Sequence, residues 1–158
     1  MIVLLDLEET LIEEWGPHPR LLLDRISCIR DHLGAHPNAD LGLMSWAIWK
    51  EDDLEKFHAR LRPSLEEALG RRFGIRWTLS LEGWARELTR ATGKILPMDE
   101  LFDIFGKEEV FLALARRHPE WAGRDVVLWD DAFEDVEMWV PGRNTHACIH
   151  NIIRATED

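Results

Sequence analysis

The sequence predicts an α/β protein with a parallel sheet and helices on both of its faces. Short apolar runs of strand length recur at Ile2–Leu5, Leu41–Ser45 and Asp125–Trp129. Segments with apolar residues at helical spacing lie between them. Strands alternating with helices imply parallel neighbours, joined by right-handed crossovers that cover both faces.

Residues 2–5 read as the first strand, and Gly16-Pro17-His18-Pro19 breaks the chain after it. From Leu21 to Leu33, the residues Leu22, Ile26, Ile29 and Leu33 share one helical face, and Gly34 follows as a stop. Residues 36–40 read as a loop and 41–45 as the second strand. Residues 51–61 are polar and helix-prone. Pro63 opens a further helix, with Ser64 and Glu67 at capping-box spacing and Gly70 and Gly74 around its end. Ile75–Leu79 reads as a third strand, 82–92 as a helix stopped by Gly93, and Pro97–Phe105 as a short helix ending at Gly106. A helix over 108–117, a strand over 125–129, a short helix near 132–139 and a last strand near 145–149 complete the pattern. Pro141-Gly142 reads as the turn into that last strand.

The 158 residues suit one domain, 1–158, with a sizeable core. No apolar run approaches the roughly 20 residues needed to span a bilayer, so no membrane partner is expected. The first apolar stretch lacks a basic flank and meets Asp6 at once, which argues against a signal peptide. Cys28 and Cys148 do not make a disulfide framework, and a reducing, cytoplasmic setting is expected. With 30 acidic and 19 basic residues the formal charge is -11, which disfavours nucleic acid. The arginine pairs at 71–72 and 116–117 read as solvated helix faces. Eight tryptophans spread along the chain read as core filling. Nothing in the sequence sets an oligomeric state.

The chemistry is concentrated at strand ends. The first strand delivers Asp6 into a loop that carries Glu8 and Thr10. The second ends in Ser45, and the run 125–129 ends in Asp130 and Asp131, with Asp135 four residues later. Lys107 opens a helical pattern, where its charge opposes the helix dipole. Open α/β sheets bind ligands beyond the carboxyl ends of their strands. Each residue also has a plainer reading. Asp130 and Asp131 fit a helix cap, Ser45 a structural hydroxyl, Asp135 a surface residue, and Lys94 is an alternative lysine.

Acid, hydroxyl, lysine and acid pair in this order resemble the four motifs of the haloacid dehalogenase-like superfamily of phosphohydrolases. Those motifs are Asp-x-Asp-x-Thr, a Ser or Thr, a Lys, and an acidic pair or Asp-x-x-x-Asp. The resemblance runs from Ile2 to about Ile149. It implies a three-layer αβα sandwich with a mostly parallel, Rossmann-like sheet and a central first strand. The 34 residues between Thr10 and Ser45 leave no room for a cap, and only a small helical insert around 81–105 fits, so the cap is small or absent.

The resemblance implies a Mg²⁺-dependent phosphatase acting on a small phosphorylated substrate. Asp6 would be the nucleophile, Glu8 the acid–base group, and Lys107 the neutralising cation. Thr10, Ser45 and Lys107 would contact the phosphate. Asp6, Asp130, Asp131 and the backbone carbonyl of Glu8 would hold the metal. The family has Asp where this chain has Glu8, one methylene longer, and Glu9 adds a further charge. A displacement of about 1 Å costs on the order of a hundredfold in rate. The alternatives are therefore a weak or inactive relative that binds a ligand or protein, and a nucleic-acid 3′-end phosphatase, which the net charge disfavours. Separately, His146, Cys148 and His150 would share one side of a strand, a spacing that fits a metal, but no complementary ligand cluster stands out elsewhere.

Overall fold

The apolar run Ile2–Leu5 forms β1, buried on both faces as a central parallel strand must be. The structure, a computed structural model, describes residues 1–95, 107–132, 135–140 and 144–157. After β1 come α1 (Leu23–Ala35), β2 (Asp40–Met44), α2 (Glu51–Arg60), α3 (Arg62–Leu69), β3 (Thr78–Leu79) and α4 (Leu81–Thr92). Then follow α5 (Lys107–Arg117), β4 (Val126–Asp130), β5 (Val136–Val140), β6 (Thr145–Asn151) and α6 (Ile152–Thr156). The six strands form one sheet in the order β3-β2-β1-β4-β6-β5. All neighbours are parallel except β5 and β6.

Side chains alternate across each strand and feed two cores. Val3, Leu5, Leu41, Leu43, Val127 and Trp129 pack with α1, α2 and α3 on one face. Ile2, Leu4, Met44, Val126 and Leu128 pack with α4 and α5 on the other. A mostly parallel sheet covered on both faces matches the expectation. Helix α4 contributes Leu81, Trp84, Ala85 and Leu88 to the second core. That core holds a group of indoles: Trp84 lies 6.4 Å from Trp77 and 6.3 Å from Trp121. Trp84 also donates its Nε1–H to the Leu43 carbonyl at 2.9 Å. Gly42 has no alternative at its position, because a Cβ there would lie 2.4 Å from the Trp77 carbonyl oxygen.

Several elements differ from the sequence expectation. Where a short helix near 132–139 is expected, the described residues Val136–Val140 form an antiparallel strand on β6. Its residues alternate partly buried and exposed up to Val140, the period of two that suits an edge strand. Most of the third strand is a 3-10 turn at Ile75–Trp77, which leaves Ile75 86% exposed while Trp77 turns into the core. Helix α3 begins at Arg62 without a side-chain cap, so Ser64 and Glu67 form no capping box; Gly70, at φ 67°, ends the helix as expected. Helix α1 runs past Gly34 to Ala35. Helix α6 was not anticipated. The helix Pro97–Phe105 and the Pro141-Gly142 turn lie outside the described residues. No helix among the described residues is long and apolar enough to cross a membrane.

Candidate metal and phosphate centre

Strand order places the site. The chain moves from β1 outward through β2 to β3, then returns across the sheet to β4 on the other side of β1. The boundary between β1 and β4 is thus the point where the order reverses, and a crevice opens there at the carboxyl ends. Leu5 pairs with Trp129, so Asp6 and Asp130 leave the sheet side by side, and the Asp6 N–H donates to the Trp129 carbonyl at 3.0 Å.

Asp6, Asp130 and Asp131 offer carboxylate oxygens that all lie within 4.8 Å of one another. Asp6 and Asp130 are buried. Lys107, the first residue of α5, reaches in from across the sheet. Its Nζ donates to Asp6 Oδ1 at 2.6 Å and to Asp130 Oδ2 at 2.7 Å. The second oxygen of each carboxylate is also committed. Thr10 Oγ1 donates to Asp6 Oδ2 at 3.2 Å, and the Ala132 N–H donates to Asp130 Oδ1 at 2.8 Å. The Thr10 contact follows from a tight loop in which the Leu11 and Ile12 N–H groups return to the Leu7 carbonyl. That loop turns at Glu9, whose φ of 60° is in the left-handed region.

The charges do not balance: three carboxylates face one ammonium. Burial on its own would lower the Lys107 pKa, but Asp6 and Asp130 outweigh it, and the pKa is raised. Asp131 takes the remaining strain. Burial first, then the charges of Asp6 and Asp130, push its carboxyl up to about 7. A divalent cation would reverse that shift, and carboxylate oxygens are hard donors of the type Mg²⁺ takes. The donor set and its excess negative charge could therefore hold a hard divalent cation.

The other predicted residues are placed as follows. Ser45 is buried at the end of β2, and its Oγ accepts the Ala47 N–H at 3.4 Å rather than touching a carboxylate. Glu8 is outside the acidic group; its Oε2 accepts the Trp15 N–H at 2.9 Å. Glu9 is turned away as well, its carbonyl bonded by Arg25 and its carboxylate 3.7 Å from the same guanidinium. Lys94 makes no contact with the acidic group. Asp135 is exposed and holds the Asn151 N–H at 2.8 Å, while the Asn151 amide donates to the Asp131 carbonyl at 3.3 Å. Two participants escaped the sequence reading. Asn151 carried no signal, being one polar residue at a strand end. Trp46, whose ring centre lies 5.5 Å from Lys107 Nζ, carried a weak one: an aromatic next to the candidate hydroxyl Ser45.

No family model, curated protein or solved structure matches the chain.

Proposed function

We propose that this protein is a Mg²⁺-dependent phosphatase of the haloacid dehalogenase-like type, acting on small phosphate monoesters. One observation carries the reading: Lys107 Nζ sits 2.6 and 2.7 Å from carboxylates delivered by two adjacent strand ends. Burial, and then the charges of Asp6 and Asp130, push the carboxyl of a third acid beside them, Asp131, up to about 7. A perturbed carboxyl beside a specific charge partner at the carboxyl-end crevice of an open sheet is the arrangement functional sites use.

In this reading an Asp6 carboxylate oxygen attacks phosphorus as the ester P–O bond breaks and the alcohol leaves, and water then hydrolyses the aspartyl phosphate to inorganic phosphate and free Asp6. Thr10 and Lys107 hold its carboxylate in one rotamer, which limits the entropy cost of in-line approach. Lys107 also offsets charge on the phosphoryl oxygens. Asp6, Asp130 and Asp131 would hold Mg²⁺, which supplies further charge neutralisation when bound. Glu8 would exchange the proton with the leaving group and then with water, after releasing the Trp15 N–H.

The Glu8–Trp15 hydrogen bond favours a second reading, in which the site binds a phosphorylated ligand without turning it over. Hydrolysis of an aryl phosphate separates the two. Turnover that requires Mg²⁺ and is lost in Asp6→Asn supports the phosphatase. Mg²⁺-dependent binding of inorganic phosphate with no turnover in any variant supports the binding module. An aryl phosphatase activity indifferent to Asp6→Asn excludes both.

A further inference from the structure

A lysine ammonium has three N–H bonds, and Lys107 directs two of them at Asp6 and Asp130. One more group closes on it. The ammonium lies over the Trp46 ring, 5.5 Å from its centre. An indole face carries the negative end of the ring quadrupole, and a cation within about 6 Å of its centre is attracted to it.

The place of Trp46 is built locally. β2 ends at Met44, and the buried Ser45 opens a turn. Its carbonyl accepts the Ile48 N–H at 3.3 Å and its Oγ accepts the Ala47 N–H at 3.4 Å. Trp46 is the second residue of that turn and packs, partly buried, against the core that holds Met44, Trp84 and Val110. The hydroxyl expected to contact phosphate thus orders the turn that carries the indole. Three strand ends and one helix start surround a single ammonium: Asp6 after β1, Trp46 after β2, Asp130 closing β4, and Lys107 opening α5.

The two kinds of contact respond differently to ligands. An anion that draws Lys107 toward itself, or a cation that takes up carboxylate charge, weakens the ion pairs. The indole is neutral and is no ligand for a hard cation, so its hold on the ammonium survives both. We propose that Trp46 is a positioning residue, whose indole keeps the Lys107 ammonium at the acidic group while the carboxylates change partners during phosphoryl transfer. Its role in turnover rests on the phosphatase reading; the contact itself does not.

A double-variant cycle by urea titration in a chelator tests the contact. Methionine at 107 keeps the packing against Trp46 and removes the charge, so only the charge-dependent part couples. Trp46→Leu should lower the folded-to-unfolded ratio at least about threefold more with Lys107 present than in Lys107→Met, and Trp46→Phe should keep most of that coupling. Equal losses in the two backgrounds overturn the proposal. On an aryl phosphate with saturating Mg²⁺, Trp46→Leu should lower kcat about tenfold and change KM less than about twofold, and Trp46→Phe should recover most of the loss. An unchanged kcat, or a phenylalanine variant as slow as the leucine one, also overturns it. If the wild-type chain hydrolyses nothing, the phosphatase reading falls. The cycle then decides the contact together with the affinity for inorganic phosphate, which should drop at least about threefold in Trp46→Leu and overturns the proposal if unchanged. Circular dichroism checks the fold, and Trp46→Met replaces the leucine variant if that one does not fold.

Discussion

Replacing Lys107 with methionine keeps most of the side chain's volume and removes the charge that holds Asp6 and Asp130 together. The contacts are short, 2.6 and 2.7 Å, and the three side chains are 11%, 8% and 2% exposed, so solvent screens them poorly. Removing one partner of such a buried pair leaves an uncompensated charge, at a cost of about 3–5 kcal/mol. With a urea m-value of about 2 kcal/mol/M, the unfolding midpoint should fall by about 1.5–2.5 M at pH 8 in a metal chelator. Much of that loss should return in the Asp6→Asn, Lys107→Met double variant, with a coupling energy of at least about 1 kcal/mol, since the two substitutions remove interacting charges. A drop below about 1 kcal/mol in the single variant, or strictly additive effects in the double, would refute the argument that these ion pairs are buried and strong.

Asp131→Asn should stabilise the metal-free chain at pH 8. The folded pKa is raised, so the carboxyl's favourable term is present at low pH and lost as pH rises from about 4 through about 7; discounted for partial exposure, the gain is about 1–2 kcal/mol by denaturant titration. Mg²⁺ should raise the melting temperature of wild type but not of this variant. His32 behaves in the opposite sense: burial, then His36 and His150, lower its folded pKa to about 4, so the native state resists a proton that the unfolded chain takes up, and stability falls as pH drops from about 6.5 to 4. Urea titrations across that window should show a shallower pH dependence in His32→Gln. Gly42→Ala should cost at least about 1–3 kcal/mol, because the new methyl meets the Trp77 backbone rather than a movable side chain; an unchanged midpoint would show that β2 and the Trp77 turn separate freely.

The sheet was legible where physical signals agree. β1 and β4 are apolar on both faces, rich in β-branched residues and closed by acids, a pattern that a helix would not need. Asp6 and Asp130 were legible for the same reason. Lys107 was legible only as an anomaly, a cation at a helix start; the cause lies 101 residues away in Asp6. β5 was misread because Val136, Met138 and Val140 follow an acidic stretch that also suits a helix start, and only pairing with β6 decides between them. The Glu8–Trp15 contact was illegible, since it depends on a loop folding back over seven residues. The approach of His32 on α1 to His150 on β6, ring centres 6.0 Å apart, was illegible too, because helix and strand carry no mark of their mutual register.

Phosphoryl transfer to Asp6 is the central claim, and mass spectrometry of the acid-quenched chain tests it most directly. After incubation with Mg²⁺ and a reactive acyl phosphate, the peptide bearing Asp6 should carry one hydroxylamine-labile phosphoryl group. The label should accumulate further in Glu8→Gln and be absent in Asp6→Asn. An unlabelled peptide in both wild type and Glu8→Gln, or equal labelling in Asp6→Asn, would contradict the account.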